Sequence, residues 1–189
     1  MSESLVWQIL YWAWVASEVA ILVVTRTREG GGEIRDRSSL RVLWLVIVVS
    51  ITAGIWIGET HRHTIFHGAW WVRPVSLGMI AVALAVRWTA VLTLGRSFSA
   101  NVAIHATQTV HKTGLFRFVR HPSYSGLLLV FAAIGLHTRN WLSLAVIVIP
   151  TTAALMYRIH VEEAALREAF GDEYEAYSRR TKRLIPGVY

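Results

Sequence analysis

The chain has no cysteine, which excludes disulfides, thiolate metal sites and a cysteine nucleophile. Charge is also scarce. Only 16% of the 189 residues are Asp, Glu, Lys or Arg, against about 25% in an ordinary soluble domain. That deficit argues against a soluble globular domain, and with 54% hydrophobic residues it excludes a disordered tail, which needs the opposite balance. Internal repeats and low-complexity tracts are missing too. What is present is apolar and aromatic, with a mean hydropathy of +0.44 and nine tryptophans. These features describe a membrane protein, and the length fits one domain or one compact bundle. The excess of 19 Lys+Arg over 12 Asp+Glu would suggest nucleic acid in a soluble chain. In a membrane chain it sets topology and meets anionic headgroups instead, so membrane lipids are expected partners and nucleic acid is not.

A bilayer-crossing helix needs roughly 20 apolar residues. Five segments approach this: Leu5–Thr25, Val42–Gly58, Pro74–Leu94, the shorter Ser125–Leu136, and Trp141–Tyr157. The expected fold is therefore an all-α polytopic bundle of five transmembrane helices. His137-Thr138-Arg139-Asn140 is all that separates the last two, which predicts a tight helical hairpin. The first segment lacks a basic leader and a small-residue cleavage site, so it reads as a retained span. Residues 1–94 then hold three helices with their loops, and residues 95–189 the region with room for chemistry.

Loop charges give the orientation. Arg26, Arg28, Arg35, Arg37 and Arg41 follow span one, and Arg96, Lys112, Arg117 and Arg120 lie between spans three and four. Arg158, Arg167, Arg179, Arg180, Lys182 and Arg183 follow span five. All fall on one side, with only Arg62, Arg73 and Arg139 on the other. The positive-inside rule puts the N-terminus outside and the C-terminus in the cytoplasm, and sets Trp7, Trp70, Trp71 and Trp141 near the outer interface. If the source is prokaryotic, the membrane is the plasma membrane. Glu18 and Arg87 lie inside spans one and three at matching depth, about 10 Å from the cytoplasmic ends. An isolated ion there is costly. A substrate or proton path is one reading, and a structural pair orienting the two spans is the preferred one.

The long cytoplasmic segments are Gly95–His121 and Arg158–Tyr189. Residues 157–170 continue span five as a helix without Gly or Pro until Gly171, a C′ stop. Residues 172–177 then read as a short amphipathic turn or helix. Arg158 and Glu162 share a helical face near the membrane boundary. Glu163 and Arg167 make a second pair, read as a solvated surface pair of little energetic weight. Thr113-Gly114 reads as a turn. Arg120-His121-Pro122-Ser123-Tyr124-Ser125-Gly126 opens span four with Pro at a first helical position, and its free N–H groups suit an anion.

These two segments carry a resemblance. The run Gln108-Thr109-Val110-His111-Lys112-Thr113-Gly114-Leu115-Phe116-Arg117-Phe118-Val119-Arg120-His121-Pro122-Ser123-Tyr124-Ser125-Gly126 resembles the cofactor region of isoprenylcysteine carboxyl methyltransferases. So does Arg158 through Glu162-Glu163, followed by Phe170-Gly171-Asp172-Glu173-Tyr174. The similarity spans about residues 94 to 186, and related membrane enzymes such as phosphatidylethanolamine N-methyltransferases share parts of it. It implies an S-adenosylmethionine-dependent methyltransferase of the membrane. It assigns cofactor contacts to Gln108, Thr109, Val110, His111, Phe116, His121, Pro122, Ser123, Tyr124 and Glu162, and the methyl acceptor to Arg158 as catalytic and substrate-binding residue. The chain departs from the pattern at Phe116, where an aromatic hydroxyl is common, at His111, usually apolar, and at Gln108, often histidine. An upstream glutamine has no clear counterpart near Asn101–Ile104.

Residue chemistry fits these roles. A carboxylate such as Glu162 holds a positive group, Tyr124 and Phe116 can face adenine or a sulfonium, and amides around Pro122–Tyr124 can meet a carboxylate. Methyl transfer is an in-line displacement in which positioning supplies most of the catalysis. A carboxylate acceptor is already ionised and needs orientation, which Arg158 offers as a fork. The expected acceptor is lipophilic: prenylcysteine-like, a lipid or a small molecule. A thiol or a protonated amine would need a base, for which His160 and His111 are candidates. A non-catalytic scaffold keeping the fold is the contrasting class, although a pseudo-enzyme should lose Arg158, Glu162 or the His-Pro-x-Tyr run. His61, His63 and His67 have spacing that can hold a metal, but they sit on the opposite side with only Glu59 nearby, so no metal is expected. Gly30-Gly31-Gly32 lacks the Lys-Ser/Thr of a phosphate loop.

Overall fold

The computed structural model describes residues 2–27, 33–34, 38–60, 69–95, 103–104 and 109–189. The five expected spans appear as five helices: α1 (Glu3–Thr27), α2 (Ser38–Thr60), α3 (Val72–Leu94), α4 (Pro122–His137) and α5 (Trp141–Arg180). Four of them are long and apolar enough to cross a bilayer. Helix α4 has 16 residues, about 24 Å at the helical rise, and is the short segment seen in the sequence. Two short strands, β1 (Glu33–Ile34) and β2 (Ala103–Ile104), pair antiparallel. This ladder leaves no mark on the sequence pattern, since two residues are too few for a strand pattern to register. It joins the connection after α1 to the connection after α3.

Helix α3 packs chiefly on α4, and α2 on α5. Small residues allow these approaches, as is common between membrane helices. A Cβ on Gly126 would stand 3.0 Å from the Ala83 carbonyl oxygen and from Arg87 Cβ. On Gly54 it would collide with the Ile147 side chain. The core between helices holds Trp14, Ile47, Phe131 and Leu155. Large apolar side chains also face outward, with Leu92 70% and Ile149 67% exposed. An apolar rim around an apolar core is what a lipid solvent requires, and it identifies an integral membrane protein.

The predicted hairpin forms. Asn140 caps α5, its Oδ1 accepting from the amides of Leu142 at 2.9 Å and Ser143 at 3.3 Å. Thr138 Oγ1 donates to the Gly135 carbonyl at 2.7 Å, and Arg139 takes a positive φ of 57° to turn the chain. Helix α5 continues well past the expected end of its span. Its one break is Gly171 (φ 49°, ψ −127°), a backbone region that favours glycine. The expected helix stop is thus a kink between two helical stretches.

Candidate functional site

At the N-terminal end of α4 the chain is stitched to its own C-terminal segment. Val119 and Lys182 form a parallel bridge. The Arg120 amide donates to the Lys182 carbonyl at 2.7 Å and the His121 amide to that of Arg183 at 3.0 Å. Ser125 Oγ donates to the Leu184 carbonyl at 2.6 Å, and the Tyr177 hydroxyl to that of Phe116 at 2.6 Å. Burial pushes the Tyr177 pKa up to about 12, so this hydroxyl keeps its proton and stays a donor.

Glu163 is the centre of that stitching. Its side chain is fully buried, at 0% exposure. Oε1 accepts from Arg120 Nε at 2.8 Å, and Oε2 from Arg183 Nε at 3.1 Å and Nη2 at 3.0 Å. Arg167 Nη2 adds a bond at 3.2 Å. Arg120 also donates to the carbonyls of Ser178, at 2.8 Å, and Thr181. Burial opposes ionisation of Glu163, but His121, Arg183 and Arg120 outweigh it and hold the carboxyl well below the usual carboxylate range. The reading of Glu163–Arg167 as a solvated surface pair is therefore corrected. The i,i+4 partner is real, yet the partners that bury Glu163 come from 43 residues upstream and 20 downstream, beyond the reach of helix periodicity.

One residue earlier, Glu162 faces a different cluster. Arg158, 1% exposed, donates from Nη1 to Ser39 Oγ at 2.6 Å and from Nε to the Tyr124 hydroxyl at 3.4 Å. That hydroxyl donates in turn to Glu162 Oε2 at 2.7 Å. The imidazole of His121 lies nearly parallel to the Tyr124 ring, centroids 5.6 Å apart. Its Nδ1 is 3.9 Å from Glu162 Oε1, and its Nε2 is 3.4 Å from Glu163 Oε1. The second contact is not a well-formed hydrogen bond, and Nε2 is buried without one among the described residues. Glu162 keeps 28% of its side-chain surface open. The result is a directional chain, arginine to phenol to carboxylate, with an exit to solvent.

The first turn of α4 is also held from inside the bundle. Arg87 meets Glu18 through Nε and through Nη2, the latter 2.5 Å from Oε2. The preferred structural pairing of spans one and three is therefore present. It extends further than expected, since Arg87 Nη1 also reaches Ser123 Oγ at 2.6 Å and the Ser123 carbonyl at 3.2 Å.

Of the residues expected to contact a cofactor, the structure brings together His121, Tyr124 and Glu162, with Arg158 beside them. Pro122 is buried as the first residue of α4. Ser123 turns its hydroxyl to Arg87, away from this cluster. The Tyr124 amide donates to the His121 carbonyl at 3.0 Å, so this N–H is already engaged, contrary to the expectation of free amides there. Phe116 is buried, edge-on to His111 at 6.0 Å between centroids. Thr109 is exposed, Val110 half-buried and His160 exposed. Gln108, the His61/His63/His67 group and Gly30–Gly32 lie outside the described residues, among which no group of side chains could hold a metal ion. Ser39 escaped the sequence reading. It lies 119 residues from Arg158, and only its position at the start of α2 marks it.

Comparison with known proteins gives this geometry relatives. Residues 76–168 match the model of the Isoprenylcysteine carboxyl methyltransferase (ICMT) family. Over 122 residues the chain is 35% identical to a probable protein-S-isoprenylcysteine O-methyltransferase of Oryza sativa subsp. indica, covering 63% of each protein. Over 86 residues it is 40% identical to methanethiol S-methyltransferase 1 of Bradyrhizobium diazoefficiens, covering 45% of this chain and 29% of that one. The solved structure of a eukaryotic intramembrane Ras methyltransferase, ICMT, superposes with a TM-score of 0.63 at 25% identity, covering 77% of this chain and 52% of the other. The chain thus spans about three-fifths of the length of the plant relatives. The matched residues include Tyr124, Arg158, Glu162 and Glu163, and through this region the chain is similar to the isoprenylcysteine carboxyl methyltransferase family.

Proposed function

We propose that this protein is an S-adenosylmethionine-dependent methyltransferase acting on the carboxylate of a prenylcysteine-like or other lipophilic acceptor. Its site lies at the cytoplasmic interface, with the N-terminus outside and the C-terminus inside, as the loop charges favour. The observation that carries the reading is the chain from Arg158 through the Tyr124 hydroxyl to Glu162. Two groups of opposite charge, one helical turn apart on α5, are spaced by a single phenol.

The residues fit the cofactor. Glu162, partly open, would hold a positive group, and Tyr124, Phe116 and His121 offer ring surface to a sulfonium or a flat base. When bound, S-adenosylmethionine supplies a methyl group on a positively charged sulfur. The protein's own part is placement. Arg158 presents a planar fork whose aim is fixed by Ser39 and Tyr124, suited to a carboxylate that needs orientation and no base. Residues 95–189 form the methyltransferase region, completed by Ser39 from α2.

Calorimetry in detergent should detect S-adenosylmethionine binding. Arg158→Ala should lower kcat/KM on the true acceptor by about 10²–10³-fold, the scale of one positioned charged donor, with little change in cofactor affinity. Intact activity in Arg158→Ala would remove the carboxylate assignment. The kinship with a methanethiol S-methyltransferase favours a second reading, methylation of a thiol. A tritiated-methyl screen of prenylcysteine analogues, lipid amines and small thiols separates the two.

A further inference from the structure

The opposite end of the bundle holds a cavity that methyl transfer does not use. It has a volume of ≈ 340 Å³, within the usual range for small-ligand pockets. Helix α1 contributes Trp7 and Tyr11, α2 ends in it with Gly58 and Glu59, and α4 closes it with Ile134 and His137. The wall is built around His137, whose ring lies flat on Trp7, centroids 3.6 Å apart and 3° from parallel.

Hydrogen bonding fixes the state of that imidazole. Ser76 Oγ donates its one proton to the Arg73 carbonyl at 2.8 Å. Its contact with His137 Nδ1 at 3.0 Å therefore needs the proton on Nδ1, which leaves Nε2 as a lone-pair acceptor. Glu59 adds a carboxylate, and neither it nor the Tyr11 hydroxyl has a hydrogen-bond partner among the described residues. Among the described residues that line the cavity none is a lysine or an arginine, although the chain carries a net charge of +7. Aromatic surface beside a carboxylate attracts a cation. Three acceptors, on Glu59, His137 and Tyr11, match the three N–H bonds of a primary ammonium, whereas a quaternary ammonium has none to offer.

From this geometry we propose that the cavity is a binding site for a primary ammonium group, carried by a lipid headgroup or by a soluble amine. The site stands apart from the methyl-transfer reading and is tested without cofactor. The test is isothermal titration of the full chain in detergent with dihexanoyl-phosphatidylethanolamine, dihexanoyl-phosphatidylcholine and free ethanolamine. The ethanolamine lipid should bind about tenfold more tightly than the choline lipid, the scale of one charge-assisted contact. Glu59→Gln should remove most of that preference. His137→Phe, which keeps a flat ring against Trp7 but deletes Nε2, should reduce it, with thermal unfolding by circular dichroism confirming that both variants stay folded. Binding of ethanolamine alone at comparable strength identifies a soluble amine as the source, and binding of the lipid only identifies a headgroup. Equal binding of the two lipids to the wild type, or a preference unchanged in both variants, overturns the site.

Discussion

Glu162 and Glu163 are neighbours with opposite surroundings. Glu162 keeps an open face and accepts one phenol proton, while Glu163 is sealed and gathers three arginines. A helix turns about 100° per residue, so adjacent carboxylates look into different compartments. One compartment is the candidate site, and the other is the joint that fastens the C-terminal segment to the start of α4. The pair shows how one short motif can carry chemistry and its own scaffold together. Under the proposed function, an Arg-x3-Glu-Glu run contains two roles that a pattern match does not separate.

The largest effect is expected from breaking the joint. Glu163→Ala leaves three arginines around an empty position, and loss of one partner of a buried ionic cluster costs about 3–5 kcal/mol. Thermal unfolding should fall accordingly, and limited proteolysis should cut first near residues 181–189. Glu162→Ala should instead lower S-adenosylmethionine affinity by about tenfold or more, the range of a lost hydrogen bond to a charged group, while changing stability by less than about 1 kcal/mol. Should the two variants behave alike in both measurements, the division between them fails.

Acid gives a finer separation. The Glu163 carboxyl titrates below its ordinary value of 4.5. Its contribution is therefore complete above that value and is lost as pH falls below it toward the depressed folded value. Protease protection of the C-terminal segment should decline over that acidic window, and Glu163→Gln should remove the dependence. Two smaller effects bound the picture. Gly171→Ala should cost about 1–2 kcal/mol through its positive φ alone, because a Cβ there meets nothing within 4 Å. Arg167→Ala should cost about 1 kcal/mol or less, since Arg167 is 41% exposed and the least enclosed of the three arginines. Denaturant or thermal titration in detergent measures both.

Much of this architecture is legible in the sequence for one reason: helix periodicity and span length are local. The hairpin, the extension of α5 and the placing of Arg158 and Glu162 on one face all follow from short-range rules. The Glu18–Arg87 pair was legible too, because matching depth in parallel spans substitutes for knowledge of the fold. What was missed is long-range. Ser39 on Arg158, Arg120 and Arg183 on Glu163, and Arg87 on Ser123 each join segments that only tertiary packing brings together. Where local and distant partners competed, as at Glu163, the local rule found the weaker one. Ser123 is a further case, a motif position whose hydroxyl serves the bundle through Arg87.

Helix α5 gives these relations a further meaning. From Trp141 to Phe170 it stays helical, across Pro150, so Arg158 and Glu162 stand on the same helical rod that is seated in the lipid. The height of the two side chains above the bilayer midplane is then set by how deeply the rod sits. Hydrophobic matching sets that depth, and it differs among membranes by a few ångströms. Under the proposed function, bilayer thickness becomes an input to the reaction. An acceptor anchored in the same leaflet would meet the guanidinium at a level that its own lipid determines, so the enzyme and its substrate would be measured against one shared ruler.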